Sequence, residues 1–234
     1  MTLNTDIARN LADIRRRIET AALGSGRSPD DVRLLAVSKT FDLDHVRAAA
    51  AAGQRDFGEN RVQEALQKIA GSAELSIRWH LIGPLQSNKV RKAVAPFCAI
   101  HSVDSLRLLQ AIDTAATEAG VSPEVLVQVD LAGEATKHGA PPANAIDIVK
   151  AALSLRSARA VGLMTIPPYF EDPEDARPYF ARLSDLRSTL LKEGIDPTSL
   201  RELSMGMSHD FEIAVQEGAT IVRLGTAIFG KRHP

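Results

Sequence analysis

Short apolar runs alternate with longer amphipathic stretches along most of the chain, and this alternation limits the possible folds more than any other feature. Each run has the length of a buried strand, and each stretch has the period of a helix. Parallel strands need helical crossovers, so the alternation predicts an α/β fold. The strand candidates are Arg33–Lys39, Asp56–Gly58, Arg78–Ile82, Ala99–Ser102, Val125–Leu131, Ala160–Ile166, Glu202–Met205 and Thr220–Leu224. The helix candidates between them are Leu43–Ala52, Arg61–Ile69, Ser105–Ala119, Ala143–Leu155, Pro173–Leu191 and Phe211–Glu217.

The number of strand candidates is the number that closes a parallel barrel, and a chain of 234 residues has a suitable length. An open doubly wound sheet would need fewer strands or a topological switch point, which we do not find. Apolar residues at steps of three and four predict an additional helix before the first strand, namely Leu3, Ile7, Leu11, Ile14 and Ile18. We therefore expect residues 1–234 to form a single (β/α)₈ TIM barrel domain with an extra N-terminal helix.

The composition argues against several classes of partner. Twenty-eight basic and 29 acidic residues give a formal net charge of −1, so neither nucleic acid nor an anionic membrane is expected to bind. The N-terminus lacks the pattern of a secretory signal, and no apolar run approaches the roughly 18 residues of a membrane span. Cys98 is the only cysteine, so no internal disulfide can form. We expect a cytoplasmic protein and a monomer.

In a parallel barrel, functional residues gather at the carboxyl ends of the strands. Lys39 ends the first strand candidate, on the same face as Leu35 and Val37. An amine carried by this face into the mouth of the barrel would have a lowered pKa and could form a Schiff base. A lysine that simply leaves the strand end for solvent is the other interpretation. The residues of this strand alone do not decide between the two.

The last two strand candidates lead into segments suited to a phosphate group. Ser208 lies between the seventh strand candidate and a helix, and Gly225 and Thr226 follow the eighth. The loops after strands seven and eight carry phosphate sites in many barrels, because their backbone N–H groups can bind an anion. Ser208 or Asp210 could instead simply cap the helix. Two adjacent loops of this composition favour the phosphate site.

Arg223 shares a strand face with Gly225, so we expect its guanidinium inside the barrel. A buried guanidinium needs an acceptor. A carboxylate such as Asp56 or Glu59 could supply it, and so could an acceptor atom on a ligand ring.

Six segments, in order along almost the whole chain, resemble the YggS/PROSC family of pyridoxal 5′-phosphate (PLP) homeostasis proteins. Any one of them would be a weak signal, whereas the six in sequence are highly specific. They are Val37–Thr40, Phe57–Glu64, Trp79–Lys89, Gly162–Met164, Ser204–Ser208 and Val222–Gly230.

The resemblance implies a fold like the N-terminal domain of alanine racemase, with PLP bound covalently as a Schiff base on Lys39. It also implies that Arg223 faces the pyridine nitrogen of PLP. The implied phosphate ligands are Ser208, Gly225 and Thr226, and the implied pocket residues are Asn60, His80, Met164 and Met207. One departure is Asp130, because family members often have Asn after the fifth strand.

Members of this family are thought to bind and supply PLP without established turnover. We therefore expect a PLP carrier, with PLP-dependent apo-enzymes as candidate recipients. A weak amino-acid racemase is the alternative, but racemisation needs a second acid or base opposite Lys39. His80, Tyr169 and Tyr179 are the candidates for that group. A third interpretation, an aldolase-like barrel that binds a sugar phosphate through a Schiff-base lysine, involves no PLP.

Overall fold

The computed structural model describes residues 3–133 and 138–230. It begins with a long helix, α1 (Leu3–Gly24), after which strands and helices alternate. The strands are β1 (Arg33–Val37), β2 (Asp56–Glu59), β3 (Arg78–Leu81), β4 (Ala99–Val103), β5 (Glu124–Gln128), β6 (Arg159–Met164), β7 (Glu202–Ser204) and β8 (Ile221–Leu224). The other helices are α2 (Leu43–Ala51), α3 (Val62–Ala70), α4 (Val90–Ala93), α5 (Leu106–Ala119), α6 (Pro142–Ala152), α7 (Arg177–Lys192), α8 (Phe211–Gln216) and α9 (Thr226–Phe229).

The strands form a closed parallel barrel in which each strand pairs with its neighbours in sequence and β8 pairs with β1. The predicted (β/α)₈ barrel with an additional N-terminal helix is therefore confirmed. Two short helices have no counterpart in the prediction. They are α4 and α9, of four residues each, and four residues are too few to show a helical period.

Side chains that alternate along the strands supply two separate cores. The outward side chains pack against the surrounding helices and belong to the main apolar core. The inward side chains include two small apolar clusters, one of Leu35, Val37, Ile82 and Ile221 and one of Leu126, Val161 and Met164. Other inward positions carry buried polar side chains, among them His101 and Arg223. The interior of this barrel is therefore only partly apolar.

The helix α1 joins the first and last units of the barrel. Its buried side chains include Ile7, Leu11 and Ile14, and it packs against α2, α8 and α9. Arg17 of α1 binds the carboxylate of Glu212 in α8 with two hydrogen bonds, of 3.0 and 2.7 Å. The N-terminal helix thus covers the seam where the barrel closes.

Helix length and apolar character also bear on membrane insertion. None of the helices within residues 3–133 and 138–230 is both long and apolar enough to span a membrane.

Gly162 in β6 lies against the backbone of β7, and a Cβ atom there would overlap the carbonyl oxygen of Glu202. We expect Gly162→Ala to lower the free energy of unfolding by about 1–3 kcal/mol, the usual cost of overpacking. Urea denaturation followed by circular dichroism would measure it. Gly24→Ala at the end of α1 is the matched control, because nothing lies within 4 Å of its Cβ position. Equal losses in the two variants would contradict this explanation.

Candidate functional site

A pocket of about 240 Å³ opens at the carboxyl ends of the strands. Larger hollows exist elsewhere on the described surface, such as one of about 380 Å³ beside α4 and α5. The pocket at the strand ends differs from the hollow beside α4 and α5 because Lys39 and the buried Arg223 line it together with the segments after β7 and β8. It is lined by Val37, Lys39, Asn60, Ile82, Ile166, Tyr169, Met207, Ser208, His209, Arg223, Gly225 and Thr226.

Most of the residues predicted for the site meet in this pocket. Those that line it are Lys39, Asn60, Met207, Ser208, Arg223, Gly225 and Thr226. His80 and Met164 are not among its lining residues. His80 is buried and lies within hydrogen-bond distance of two other buried side chains, and Met164 belongs to the inward cluster with Leu126 and Val161.

Lys39 lies in a tight turn directly after β1. The strand ends at Val37, which is earlier than predicted, and Thr40 has a left-handed backbone with φ 70°. Residues other than glycine adopt this conformation rarely, and it persists where the surroundings hold it. Here the Glu64 carboxylate accepts a hydrogen bond from the Thr40 N–H at 3.1 Å. The turn thereby fixes the backbone from which the half-buried Lys39 side chain projects.

A buried ion pair lies immediately behind this turn. Lys68 of α3 donates to Glu59 Oε1 and to the carbonyl oxygen of Ser38, both at 2.7 Å. The Ser38 hydroxyl donates to the same carboxylate oxygen at 2.7 Å. Burial raises the pKa of Glu59, while the hydrogen bonds from Lys68 and Ser38 act in the opposite direction. Because Ser38 precedes Lys39, this ion pair ties the end of β1 to β2 and α3.

Ser208 and the segment after β8 form another part of the pocket. The Ser208 hydroxyl oxygen accepts hydrogen bonds from the backbone N–H groups of Gly225 (3.2 Å) and Ala227 (3.3 Å). Asp210, which the sequence left as a possible helix cap, accepts the Met207 N–H at 2.6 Å and makes no side-chain bond to the helix end. A hydroxyl and two backbone N–H groups therefore converge at one point, as in many phosphate sites.

Arg223 of β8 reaches the pocket from the barrel interior, where it is buried. Its guanidinium donates to the Ser204 hydroxyl at 2.8 Å and to the carbonyl oxygen of Thr165 at 2.9 Å. The carboxylates considered as its partners, Asp56 and Glu59, bind other side chains instead. Burial lowers the pKa of Arg223 to about 10. It therefore remains a cation at neutral pH.

A row of hydrogen bonds crosses the barrel interior from Arg223 toward the opposite rim. The Ser204 hydroxyl is 2.9 Å from His101 Nδ1, and His101 Nε2 is 3.0 Å from His80 Nδ1. His80 Nε2 is 3.0 Å from Asp56 Oδ1. These four residues come from different strands, and all are buried. We call Asp56, His80, His101 and Ser204 the interior chain.

Two aromatic side chains stand at the mouth of the pocket. The rings of Tyr169 and His209 stack with centroids 5.5 Å apart, and Tyr169 is 78% exposed. His209 Nε2 lies 3.1 Å from the carbonyl oxygen of Glu171. The strand-end pattern does not predict His209 or Ile82 as lining residues, although His209 directly follows Ser208.

Asp130, the departure from the family pattern, shapes the loop after β5. Its carboxylate accepts hydrogen bonds from the backbone N–H groups of Ala132 and Gly133, both at 3.0 Å. Residues 134–137 of the same loop lie outside the described residues.

The closed barrel and its pocket agree with a known class of protein. The alanine racemase N-terminal domain family matches residues 7–233 of this chain. The chain is therefore a barrel of the alanine racemase N-terminal type.

Individual relatives narrow this class. A pyridoxal phosphate homeostasis protein of Pseudomonas aeruginosa is 46% identical over 227 residues, which cover 97% of this chain and 96% of the relative. Another, of Aquifex aeolicus, is 43% identical over 222 residues, covering 95% and 96%. The structure of PipY from Synechococcus elongatus PCC7942 with PLP bound matches with a TM-score of 0.85 and 41% identity, covering 96% of this chain and 100% of PipY. The chain belongs to the family of pyridoxal phosphate homeostasis proteins.

Lys68→Met would leave the buried Glu59 carboxylate without its cation. We expect the free energy of unfolding at neutral pH to fall by about 3–5 kcal/mol, as when other buried ion pairs lose one partner. The loss should shrink as the pH falls toward 4.5, the ordinary glutamate pKa, because the buried carboxyl then takes up a proton in the folded protein. Denaturant titrations at several pH values would measure both effects.

The exposed Lys92 of α4 offers a matched control for this substitution. Lys92→Met should change the free energy of unfolding by less than about 0.5 kcal/mol. A Lys68→Met protein as stable as the Lys92→Met protein would show that the buried pair does not support the turn.

Proposed function

We propose that this protein holds PLP as a Schiff base on Lys39 and keeps it available to the cell without catalysing a reaction. The observation that carries the proposal is that Lys39 and the Ser208–Gly225 pair line the same pocket. Membership of the family and the PLP bound by PipY support the choice of cofactor. In this proposal residues 1–234 act as one domain and as a monomer in the cytoplasm.

Three parts of the pocket fit three parts of PLP. Lys39 would bind the aldehyde carbon, and the guanidinium of Arg223 would face the pyridine nitrogen. The phosphate would be held by the Ser208 hydroxyl and by the backbone of Gly225 and Thr226. The ring would lie among the remaining predicted pocket residues, Asn60 and Met207.

Lys39 supplies the nucleophile for attachment. Its neutral amine adds to the aldehyde carbon, and a C=N bond replaces the C=O bond. One molecule of water leaves, carrying the aldehyde oxygen and the two protons of the amine nitrogen. No electrons are exchanged with a third molecule, so the attachment needs no redox partner, and added water reverses it.

Arg223 would weaken the electron sink that bound PLP supplies, which slows carbanion chemistry in general without forbidding racemisation. Bound PLP supplies an electron sink for amino-acid chemistry, which is strongest when the pyridine nitrogen is protonated. An arginine side chain is always a donor and cannot accept a proton from that nitrogen. A guanidinium at this position would therefore keep the nitrogen unprotonated and the sink weak.

The placement of the candidate acids and bases also supports a carrier. His80 does not line the pocket, and each of its ring nitrogens lies at 3.0 Å from a buried partner. Tyr179 packs against Phe170 with ring centroids 5.7 Å apart and is absent from the lining. Tyr169 does line the pocket, but it is largely exposed and stacks on His209. None of the three faces Lys39 from a buried, water-excluded position.

An open mouth is consistent with release of the cofactor. The exposed Tyr169 and Ile166 border the pocket on its outer side. We propose PLP-dependent apo-enzymes as the recipients, supplied either by contact or through water.

Lys39→Ala should abolish covalent attachment. We expect the wild-type protein mixed with PLP to show a visible absorption band, and borohydride followed by peptide mass mapping to place the reduced adduct on Lys39. Lys39→Ala should lose both signals and keep its circular dichroism spectrum. Lys192→Ala, at an exposed helical lysine, should behave like the wild type. A colourless wild-type protein, or an unchanged adduct in Lys39→Ala, would refute the proposal.

Ser208→Ala tests the phosphate end of the pocket separately. Loss of one hydrogen bond to a charged group should weaken PLP binding roughly tenfold. Pyridoxal, which lacks the phosphate, should bind the variant and the wild type equally. Equilibrium dialysis with both compounds would measure this, and a parallel loss of pyridoxal binding would contradict the phosphate assignment.

A further inference from the structure

We propose that the interior chain is a positioning device, in which Asp56, His80, His101 and Ser204 orient Arg223 and thereby tune the ring nitrogen of the bound cofactor. This inference rests on the proposed function, since it is Arg223 that would touch the cofactor. The four residues of the interior chain would act through Arg223 and would not contact the cofactor themselves.

One set of proton positions satisfies every member of the interior chain. Asp56 already accepts a hydrogen bond from Arg78 at 2.6 Å. Although burial opposes it, the hydrogen bonds from His80 and Arg78 lower the pKa of Asp56. An ionised carboxylate can only accept, so His80 donates its Nε2 proton to Asp56. The direction of the hydrogen bonds along the interior chain is therefore defined at Asp56.

The donor and acceptor roles set at Asp56 determine those of both imidazole rings. In the proposed arrangement both rings are neutral and each has one donor and one acceptor nitrogen. His80 then accepts at Nδ1 from the Nε2–H of His101, and these two nitrogens lie 3.0 Å apart. His101 then accepts at Nδ1 from the Ser204 hydroxyl. Burial, together with the positive charge of Arg223, lowers the pKa of His101 well below its ordinary value. His101 is therefore neutral, as this arrangement requires.

Ser204 links the hydrogen bonds of the two histidines to Arg223. Because the Ser204 hydroxyl donates to His101, its oxygen is left to accept from the guanidinium. A guanidinium carries five N–H donors in a rigid planar fork. With Ser204 and Thr165 holding two of them on the buried side, the plane of the fork is set, and so is the edge it presents to the pocket.

The far end of the interior chain lies at the opposite rim of the barrel. Asp56 opens there, with Arg78, into a separate hollow of about 460 Å³. The Arg78 side chain is 58% exposed. Successive hydrogen bonds in a dry interior polarise one another. The charge of Asp56 can therefore influence Arg223 although the two residues are at opposite ends of the barrel.

Ser204→Ala is the most direct test, because it breaks the link between the interior chain and Arg223. Ser102→Ala is the matched control, since Ser102 is also a buried strand serine, but it donates to the carbonyl oxygen of Gly83 and is not part of the interior chain. Ser204→Thr keeps the hydroxyl and serves as the rescue variant. Each protein would be loaded with PLP, and its visible spectrum would be recorded across a pH series.

We expect Ser204→Ala to load PLP on Lys39 but to show a displaced absorption maximum and a displaced pKa of the bound chromophore. Release of PLP should be roughly tenfold faster, the scale of one hydrogen bond to a charged group. Asp56→Asn should displace the spectrum in the same sense, whereas Ser102→Ala and Ser204→Thr should match the wild type. A merely structural role would change stability without displacing the spectrum.

A second measurement needs no cofactor and no variant. Nitrogen-15 NMR of the six histidines in the unloaded wild-type protein would report the tautomers of His80 and His101. Protons on Nε2 of both rings would support the interior chain, and a proton on Nδ1 of either neutral ring would overturn it.

The outcomes separate the two proposals. If the wild-type protein forms no adduct on Lys39, both the proposed function and the tuning role are refuted. A wild-type protein that loads normally, with Ser204→Ala spectra identical to those of the wild type, overturns the tuning role and leaves the proposed function intact.

Discussion

Closure of the sheet between β8 and β1 is the constraint on which the site depends. The two strands pair in parallel, with Leu35 opposite Arg223. Gly225 approaches β1 so closely that a Cβ atom there would lie 3.2 Å from the carbonyl oxygen of Val37. Through this contact the residue that follows the first strand, Lys39, shares a pocket with the segment that follows the last. In an open sheet the same two segments would stand at opposite edges.

Much of this arrangement could be predicted because parallel strands place their carboxyl ends together. An apolar run followed by a polar residue identifies such an end most clearly at Lys39. The prediction of secondary structure was less accurate for short helices and for the ends of strands. The helices α4 and α9 were not predicted because they have four residues each. The predicted end of β1 lies beyond its observed end, because Lys39 continues the alternation of Leu35 and Val37 past the last residue that pairs with β2 or β8.

The interior of the barrel could not be predicted in the same way. Alternation along a strand tells which side chains point inward, but contacts between them depend on the stagger of strands that are distant in sequence. For Arg223 the sequence left open a carboxylate, Asp56 or Glu59, or an acceptor atom on a ligand ring. Neither alternative includes the Ser204 hydroxyl and the Thr165 carbonyl oxygen that the guanidinium binds inside the barrel. His80 does point inward, as its strand predicts, but it bonds toward Asp56 and not toward the pocket.

The position of α1 has a consequence for synthesis on the ribosome. This helix is made before the strands of the barrel, yet its apolar face packs partly on α8 and α9, which are made after seven of the eight strands. Until those segments emerge, the side chains of Ile7, Leu11 and Ile14 lack much of their final cover. Such exposed apolar surface is what chaperones bind and what promotes aggregation in partly made chains. The apolar face of α1 therefore stays partly uncovered until α8 and α9 have been translated.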